Sequence, residues 1–263
     1  MIAVDQIKVG YGPTIIIEEL SVKIPKGQIT TIIGPNGCGK STLLKTIARI
    51  LKASHGAVFI DEQAIHETST KEIAKKMAIL PQTAEAPTGL TVRELITYGR
   101  FPHQSSFGRL KEDDVRAIDW ALKATNLTEF QERPIEALSG GQRQRVWIAM
   151  ALAQDTEILI LDEPTTYLDM AHQLDVLQLL ERLNQEQGKT IVMVLHDLNH
   201  ASRFSHYLIA MRDGAMVTEG TPERVVTCEH LQCIFQIQAM LTTCPFSQNP
   251  ICLSYGKVDE SVS

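Results

Sequence analysis

Apolar residues recur along the chain with two different spacings, and the spacing assigns the elements. Ile29 to Ile33 is an unbroken run rich in β-branched residues that stops at Gly34, the pattern of a strand buried on both faces. After a glycine-rich stretch ending at Gly39, the residues from Lys40 to Leu51 place apolar side chains at helical spacing, which predicts strand, loop and helix in succession. Glu157 to Leu161 and Thr190 to Leu195 repeat the buried-strand pattern. Met77 to Leu80 is a shorter strand-like run, and His172 to Gln187 is a helical stretch closed by Gly188. Strands alternating with helices predict an α/β fold with a mainly parallel sheet.

Two regions depart from that alternation. Ile2 to Val9 and Ile15 to Ile24 alternate apolar and polar positions around turn signals at Gly10 and Gly12-Pro13, which predicts an antiparallel side sheet. Beyond Gln82 the pattern turns helical: Thr91 and Glu94 fit a capping box, and Val115, Ile118 and Leu122 space a helix from Asp113 to Asn126. The expected organisation is a core built from residues 1–82 and 154–263, side sheet included, with a helical insertion at 83–153.

Composition narrows the class. The chain has 263 residues, 44% hydrophobic and 21% charged, which is the balance of a globular protein and not of a disordered one. Its formal net charge is -6, against the basic face expected for nucleic-acid binding. No apolar run approaches the ~18 residues of a membrane span, and the N-terminal residues, with Asp5 among them, lack the pattern of a signal peptide. The five cysteines are odd in number and unevenly placed, which predicts free thiols in a reducing compartment. His230 with Cys228, Cys233, Cys244 and Cys252 does not match the paired spacing of a zinc site.

Gly34-Pro35-Asn36-Gly37-Cys38-Gly39-Lys40-Ser41 matches the P-loop pattern and sits between the predicted strand and helix. Glycines there let backbone N–H groups turn inward around phosphates at a helix N-terminus. Lys40 adds a full cation, and Ser41 is placed to ligate Mg²⁺, with Thr42 beside it in the same turn. The expected ligand is Mg-ATP. Cys38 stands at a position of the loop that asks nothing of its thiol.

The run Ile158-Leu159-Ile160-Leu161 delivers Asp162 and Glu163 to the C-terminal end of a buried strand, where α/β sheets bind ligands. Asp162 is suited to hold Mg²⁺ and Glu163 to polarise the attacking water as general base. Ser139 and Gln142 fit a second capping box, with Gly140 and Gly141 leaving N–H groups at the helix start open to an anion.

Leu138-Ser139-Gly140-Gly141-Gln142, following the P-loop and preceding the acidic strand, resembles the signature sequence of ABC ATPases. The resemblance runs from Ile2 to about Leu231 and implies a P-loop NTPase core. It implies roles as well. Ser139, Gly140, Gly141 and Gln142 would close on the γ-phosphate of ATP held by a second copy of the chain. Gln82 would contact Mg²⁺ and the attacking water, Asp169 would sit at the dimer interface, His196 would hold the γ-phosphate, and Tyr11 would stack on adenine.

Further segments look like the ATPases of iron–siderophore and ferric citrate importers: Gly99-Arg100-Phe101-Pro102-His103, Pro164-Thr165-Thr166-Tyr167-Leu168-Asp169-Met170, and His196-Asp197-Leu198-Asn199-His200-Ala201. Vitamin B12 and haem importers are close relatives, and an iron–sulfur assembly ATPase is the alternative outside transport. The resemblance implies a homodimer beneath integral membrane permease subunits at the cytoplasmic face of the cell membrane. A substrate-binding protein would act indirectly, and this subunit would touch no transported chelate and no nucleic acid. Leu90, Leu95, Tyr98 and Phe101 lie in the insertion where apolar residues would form a groove for a permease helix.

Overall fold

The computed structural model describes every residue except 83–86, 105–108, 167 and 258–263. Tyr167 and the insertion boundary set at residue 83 therefore lie outside the described residues. The chain forms two compact units, one from Met1–Glu67 with Val192–Ser263 and the other from Thr68–Ile191.

The first unit opens with β1 (Ile2–Tyr11), β2 (Thr14–Ile24), β3 (Ile29–Ile33), α1 (Lys40–Ile47), β4 (His55–Ile60) and β5 (Gln63–Ala64). The second holds α2 (Thr70–Lys76), β6 (Met77–Leu80), α3 (Val92–Tyr98), α4 (Glu112–Ala124), α5 (Gly140–Ala153), β7 (Ile158–Asp162) and α6 (Met170–Gln187). The chain passes back to the first unit within β8 (Thr190–Val194). There follow α7 (Leu198–Phe204), β9 (Tyr207–Arg212), β10 (Ala215–Gly220), α8 (Pro222–Val225), α9 (Cys228–Phe235), β11 (Ile237–Thr243) and β12 (Pro250–Lys257).

In the first unit the predicted side sheet is present, in the order β2-β1-β4-β5, with β1 and β2 antiparallel from Ile2↔Ile24 to Tyr11↔Thr14. Its alternation places Ile2, Val4, Ile7, Val9, Ile17, Leu20, Val22 and Ile24 in the core. β3 is buried along its whole length and pairs in parallel with β9, which is why its sequence shows no polar face. In the second unit β6 and β7 also pair in parallel, and α3, α4 and α5 pack on one another. The α/β class, the side sheet and the helical segment are those expected.

Among the boundaries that differ from the sequence reading, three helix ends do so for a clear local reason. The helix expected from Lys40 to Leu51 stops at Ile47: Arg49 takes a left-handed φ of 59°, and the amides of Ile50 and Leu51 both turn back to the Lys45 carbonyl. Ile50, counted as part of the apolar stripe, is left exposed. The helix expected to end at Asn126 ends at Ala124, with Asn126 at a φ of 56°. The helix expected from His172 begins two residues earlier, at Met170, because Asp169 caps it. Among the described residues no helix is long and apolar enough to cross a membrane.

Within the segment Gly99 to His103, Arg100 and His103 serve packing. The Arg100 guanidinium is buried against Asp114 at 2.8 Å and donates to the Ala153 carbonyl at 2.7 Å, and His103 meets the Gln154 carbonyl at 2.8 Å. This ties α4 to the end of α5. Burial alone would raise the Asp114 carboxyl, but the Lys111 amide and the Arg100 guanidinium together hold it below the usual carboxylate range.

Candidate functional site

In the first unit, β3 ends at Gly34, whose backbone sits at a φ of 148°. A Cβ there would lie 2.2 Å from the Met211 carbonyl oxygen, so only glycine lets β3 turn against β9 at this point. The loop through Pro35, Asn36, Gly37, Cys38 and Gly39 then feeds α1, whose N-cap is Gly39 with no side-chain cap. The N-terminus of α1, with no side chain on Gly39 to cap it, suits an anion. Lys40 is buried, and its Nζ donates to the carbonyls of Gly34 and Pro35 at 2.8 Å each. Those bonds hold the ammonium within the loop. Cys38 is buried too, and burial pushes its thiol up, away from the reactive thiolate. Tyr11, at the end of β1 in the same unit, is 48% exposed.

In the second unit, every residue of β7 is buried and Asp162 is its last member. Glu163 follows immediately, 7% exposed, with a left-handed φ of 54°. A non-glycine residue in that region carries backbone strain of about 1 to 3 kcal/mol, and such strain gathers at working sites. Its carboxylate accepts from Gln82 Nε2 at 2.7 Å and Thr166 Oγ1 at 3.0 Å, both on Oε2. The following loop is held from α5 by Gln144, whose Nε2 donates to the Pro164 carbonyl at 3.0 Å.

Ser139 caps α5 reciprocally: its Oγ accepts from the Gln142 amide at 3.2 Å, and Gln142 Oε1 accepts from the Ser139 amide at 3.0 Å. A Cβ on Gly140 would meet nothing within 4 Å, whereas one on Gly141 would stand 3.4 Å from the His172 ring and 3.6 Å from Leu168. Asp169, the cap of α6, accepts on Oδ1 from the His172 amide at 2.9 Å and from His172 Nδ1 at 2.8 Å. Those hydrogen bonds hold the Asp169 carboxyl below its ordinary range.

His196 lies in the first unit, exposed, between β8 and α7. It borders a cavity of about 380 Å³ whose other walls include Asn199, Phe235, Cys252 and Tyr255. The hairpin of β11 and β12 grips α7 here: Asn199 bonds the Cys252 carbonyl at 3.0 Å and the Cys252 amide at 2.8 Å, and Asn249 reaches the Ser202 carbonyl at 2.6 Å.

Within the second unit, then, Gln82 meets Glu163 next to Asp162, and Ser139 to Gln142 approach Asp169 through His172. Tyr11, the P-loop residues and His196 belong to the first unit. Sequence reasoning missed Gln144, the Thr166 hydroxyl as a partner of Glu163, and His172; only the Ser/Thr three residues after the acid was visible as a local signal. The donor types suit a hard cation: Ser41 offers a hydroxyl, Asp162 a carboxylate, and Gln82, its nitrogen given to Glu163, an amide oxygen.

The ABC transporter family model matches residues 17–166, more than half of the chain. The iron(3+)-hydroxamate import ATP-binding protein FhuC of Bacillus subtilis (strain 168) is 63% identical over 257 residues, covering 98% of this chain and 96% of that protein. Among solved structures, one described as a metal-chelate type ABC transporter in an inward-facing conformation superposes with a TM-score of 0.83 at 28% identity, covering 98% of this chain and 96% of that one. A dimeric ATP-binding cassette in a post-hydrolysis state with ADP and Pi gives a TM-score of 0.73 at 32% identity, over 84% and 98% of the two chains.

Proposed function

The chain belongs to the ABC transporter family of ATPases, and we propose that it is the ATP-hydrolysing subunit of an importer for ferric siderophores. The observation that carries the hydrolytic reading is Glu163, buried beside Asp162 with its carboxylate steered by Gln82 and Thr166. The 63% identity with a ferric hydroxamate import protein carries the choice of cargo class.

In this reading the P-loop from Gly34 to Thr42 cradles the phosphates of ATP, and Lys40 transfers its hydrogen bonds from loop carbonyls to phosphate oxygens. Tyr11 stacks on adenine. Ser41, Asp162 and Gln82 would hold Mg²⁺, which would supply charge neutralisation on the phosphate oxygens. Glu163 polarises the attacking water, Gln82 orients it, and His196 holds the γ-phosphate. Ser139, Gly140, Gly141, Gln142 and Asp169 face the nucleotide of a second copy, so that each ATP lies between two chains.

The partners are a second copy of this chain and a pair of integral membrane permease subunits, served by a substrate-binding protein that this chain does not touch. The permease would hold the dimer at the cytoplasmic face of the membrane. Residues 83–153 act as the signature-bearing helical subdomain, and residues 1–82 and 154–263 as the nucleotide-binding core. The Tyr98 and Phe101 rings, stacked at 4.9 Å and 37% and 58% exposed, offer the permease an apolar foothold, whereas Leu95 packs inside.

The test is reconstitution of the chain with its genomically adjacent permease in liposomes, using ferric hydroxamate presented by the cognate binding protein. Uptake that requires ATP, and stops with Glu163→Gln, is the expected result. Uptake unaffected by removing this chain would overturn the proposal.

A further inference from the structure

We propose that His172 is a positioning residue for ATP hydrolysis, its ring seating the Gly141 turn and its Nδ1–H fixing the Asp169 carboxylate. The signature turn and the loop leading from Glu163 then move as one piece. The inference rests on the site reading proposed above and adds to it the part that joins two of its motifs.

The first observation is that the imidazole exceeds what helix capping needs. Asp169 already caps α6 through the His172 amide at 2.9 Å, a bond that any residue at that position except proline would supply. The second bond, 2.8 Å to Nδ1, exists only because the side chain is histidine. An ionised carboxylate is an acceptor alone, so Nδ1 carries the proton and the ring orientation is set by Asp169.

The second observation concerns Gly141. Its φ is not positive, so no backbone requirement excludes other residues there. The ring of His172 lies against it: Cγ and Cδ2 stand at van der Waals distance, 3.4 Å, from where a Cβ would be, and Leu168 Cδ2 at 3.6 Å. Its neighbour Gly140 is open on that side. The two glycines of the signature thus face different surroundings: Gly140 borders open space, and Gly141 lies against the ring of His172.

The third observation is that the same loop is gripped at further points. Gln144, one turn along α5, donates to the Pro164 carbonyl at 3.0 Å, and Gln173, next to His172, donates to the Leu168 carbonyl at 2.9 Å. The start of α5 and the start of α6 therefore clasp the loop whose first residue is Glu163 and whose last is Asp169. A push on Ser139 to Gly141 from the nucleotide of the second copy would reach Glu163 through this clasp. His172 is the side chain that both lies against Gly141 and bonds the Asp169 carboxylate.

The experiment uses the full chain with His172→Ala, His172→Asn, which keeps a donor near the Nδ1 position, and His172→Phe, which keeps the ring. ATPase turnover, KM, the Hill coefficient for ATP and the melting temperature are measured for each, with Glu163→Gln as control. A ring displaced by about 1 Å can cost up to ~10²-fold. We expect His172→Ala to lower kcat about tenfold with KM within about twofold and the Hill coefficient moved toward one. His172→Asn and His172→Phe should fall between it and the native chain. If His172→Ala does not fold, the other two decide. Native kcat in both, or losses that follow melting temperature alone, would overturn the inference. Should Glu163→Gln itself hydrolyse ATP normally, the site reading beneath it fails; if that control is inactive while every His172 variant turns over normally, only this inference does.

Discussion

Gln82 Nε2 stands 2.7 Å from Glu163 Oε2, the donor on the segment after β6 and the acceptor on the residue after β7. Because β6 and β7 are parallel neighbours, with Leu80 opposite Leu161, both side chains leave the same end of the sheet. The amide fixes one oxygen of the carboxylate, and Thr166 fixes the same oxygen from the loop.

Removing the base while keeping its shape tests that arrangement. Glu163→Gln is expected to bind ATP with native affinity and to lose about 10²–10⁴-fold in turnover, the range for a general base. Gln82→Ala should leave the carboxylate in place and still held by Thr166, and so lose less. Steady-state ATPase with a parallel nucleotide-binding titration separates the two; native turnover in Glu163→Gln would remove that residue from the chemistry.

The two-chain site predicts complementation between lesions. Ser139→Arg breaks the cap of α5 and blocks the signature surface, and Lys40→Ala removes the cation of the P-loop. Each homodimer should be inactive. A mixed dimer with one lesion on each chain should place both defects in one site and leave the other working. Linked dimers of fixed composition measure this, and absence of any recovered turnover would argue that a single chain makes every contact.

Much of this site was legible because its signals are local. The strand Ile29 to Ile33, the glycines that follow and Lys40 are contiguous, and a run of β-branched residues before a phosphate loop needs no tertiary information. The capping box of Ser139 and Gln142 is read off three residues of spacing and is present as read. What escaped depends on residues far apart in sequence. Gln144 and Pro164 are 20 apart, and nothing local marks either. The left-handed Glu163 was hidden because sequence patterns that predict positive φ rely on glycine or asparagine. The end of α1 was missed because Ile50 and Leu51 continue the apolar spacing while their amides turn back to Lys45. The residues of the Gly99 to His103 segment were read for family likeness, and two of them, His103 and above all Arg100 with its partner Asp114, hold α4 and α5 together.

That last pair gives a prediction on stability. Removing one partner of a buried ion pair costs about 3–5 kcal/mol, whereas replacing both with apolar residues can be nearly neutral. Asp114→Asn should therefore destabilise the fold strongly, and Arg100→Met with Asp114→Leu should recover most of the loss. The pH dependence follows from the depressed Asp114 carboxyl. Its folded value lies below its unfolded one, so its contribution is complete above the unfolded value of about 3.9 and is lost as pH falls through the folded value. Urea unfolding from about pH 6 down to about pH 2.5 should show a steeper acid loss in the native chain than in the double variant. Parallel curves would exclude Asp114 as the titrating group.

The final prediction concerns transmission to the membrane. Tyr98 ends α3 and Phe101 follows Gly99 and Arg100, and their stacked rings stay exposed while Val92, Leu95 and Ile96 of the same helix are buried. An exposed aromatic pair anchored on a buried helix face is suited to receive an apolar partner segment. The neighbouring Arg100 is locked by Asp114 and the Ala153 carbonyl, so the rings stand on a rigid base. Tyr98→Ser with Phe101→Ser should leave the melting temperature and the ATPase of the isolated chain close to native, since neither ring is in the core. Chelate uptake by the assembled transporter should fall severalfold or be lost. The informative measurement is the ratio of chelate transported to ATP hydrolysed, taken in the same liposomes. A fall in that ratio places coupling at these rings; an unchanged ratio, with uptake and hydrolysis both native, assigns coupling to another surface of the chain.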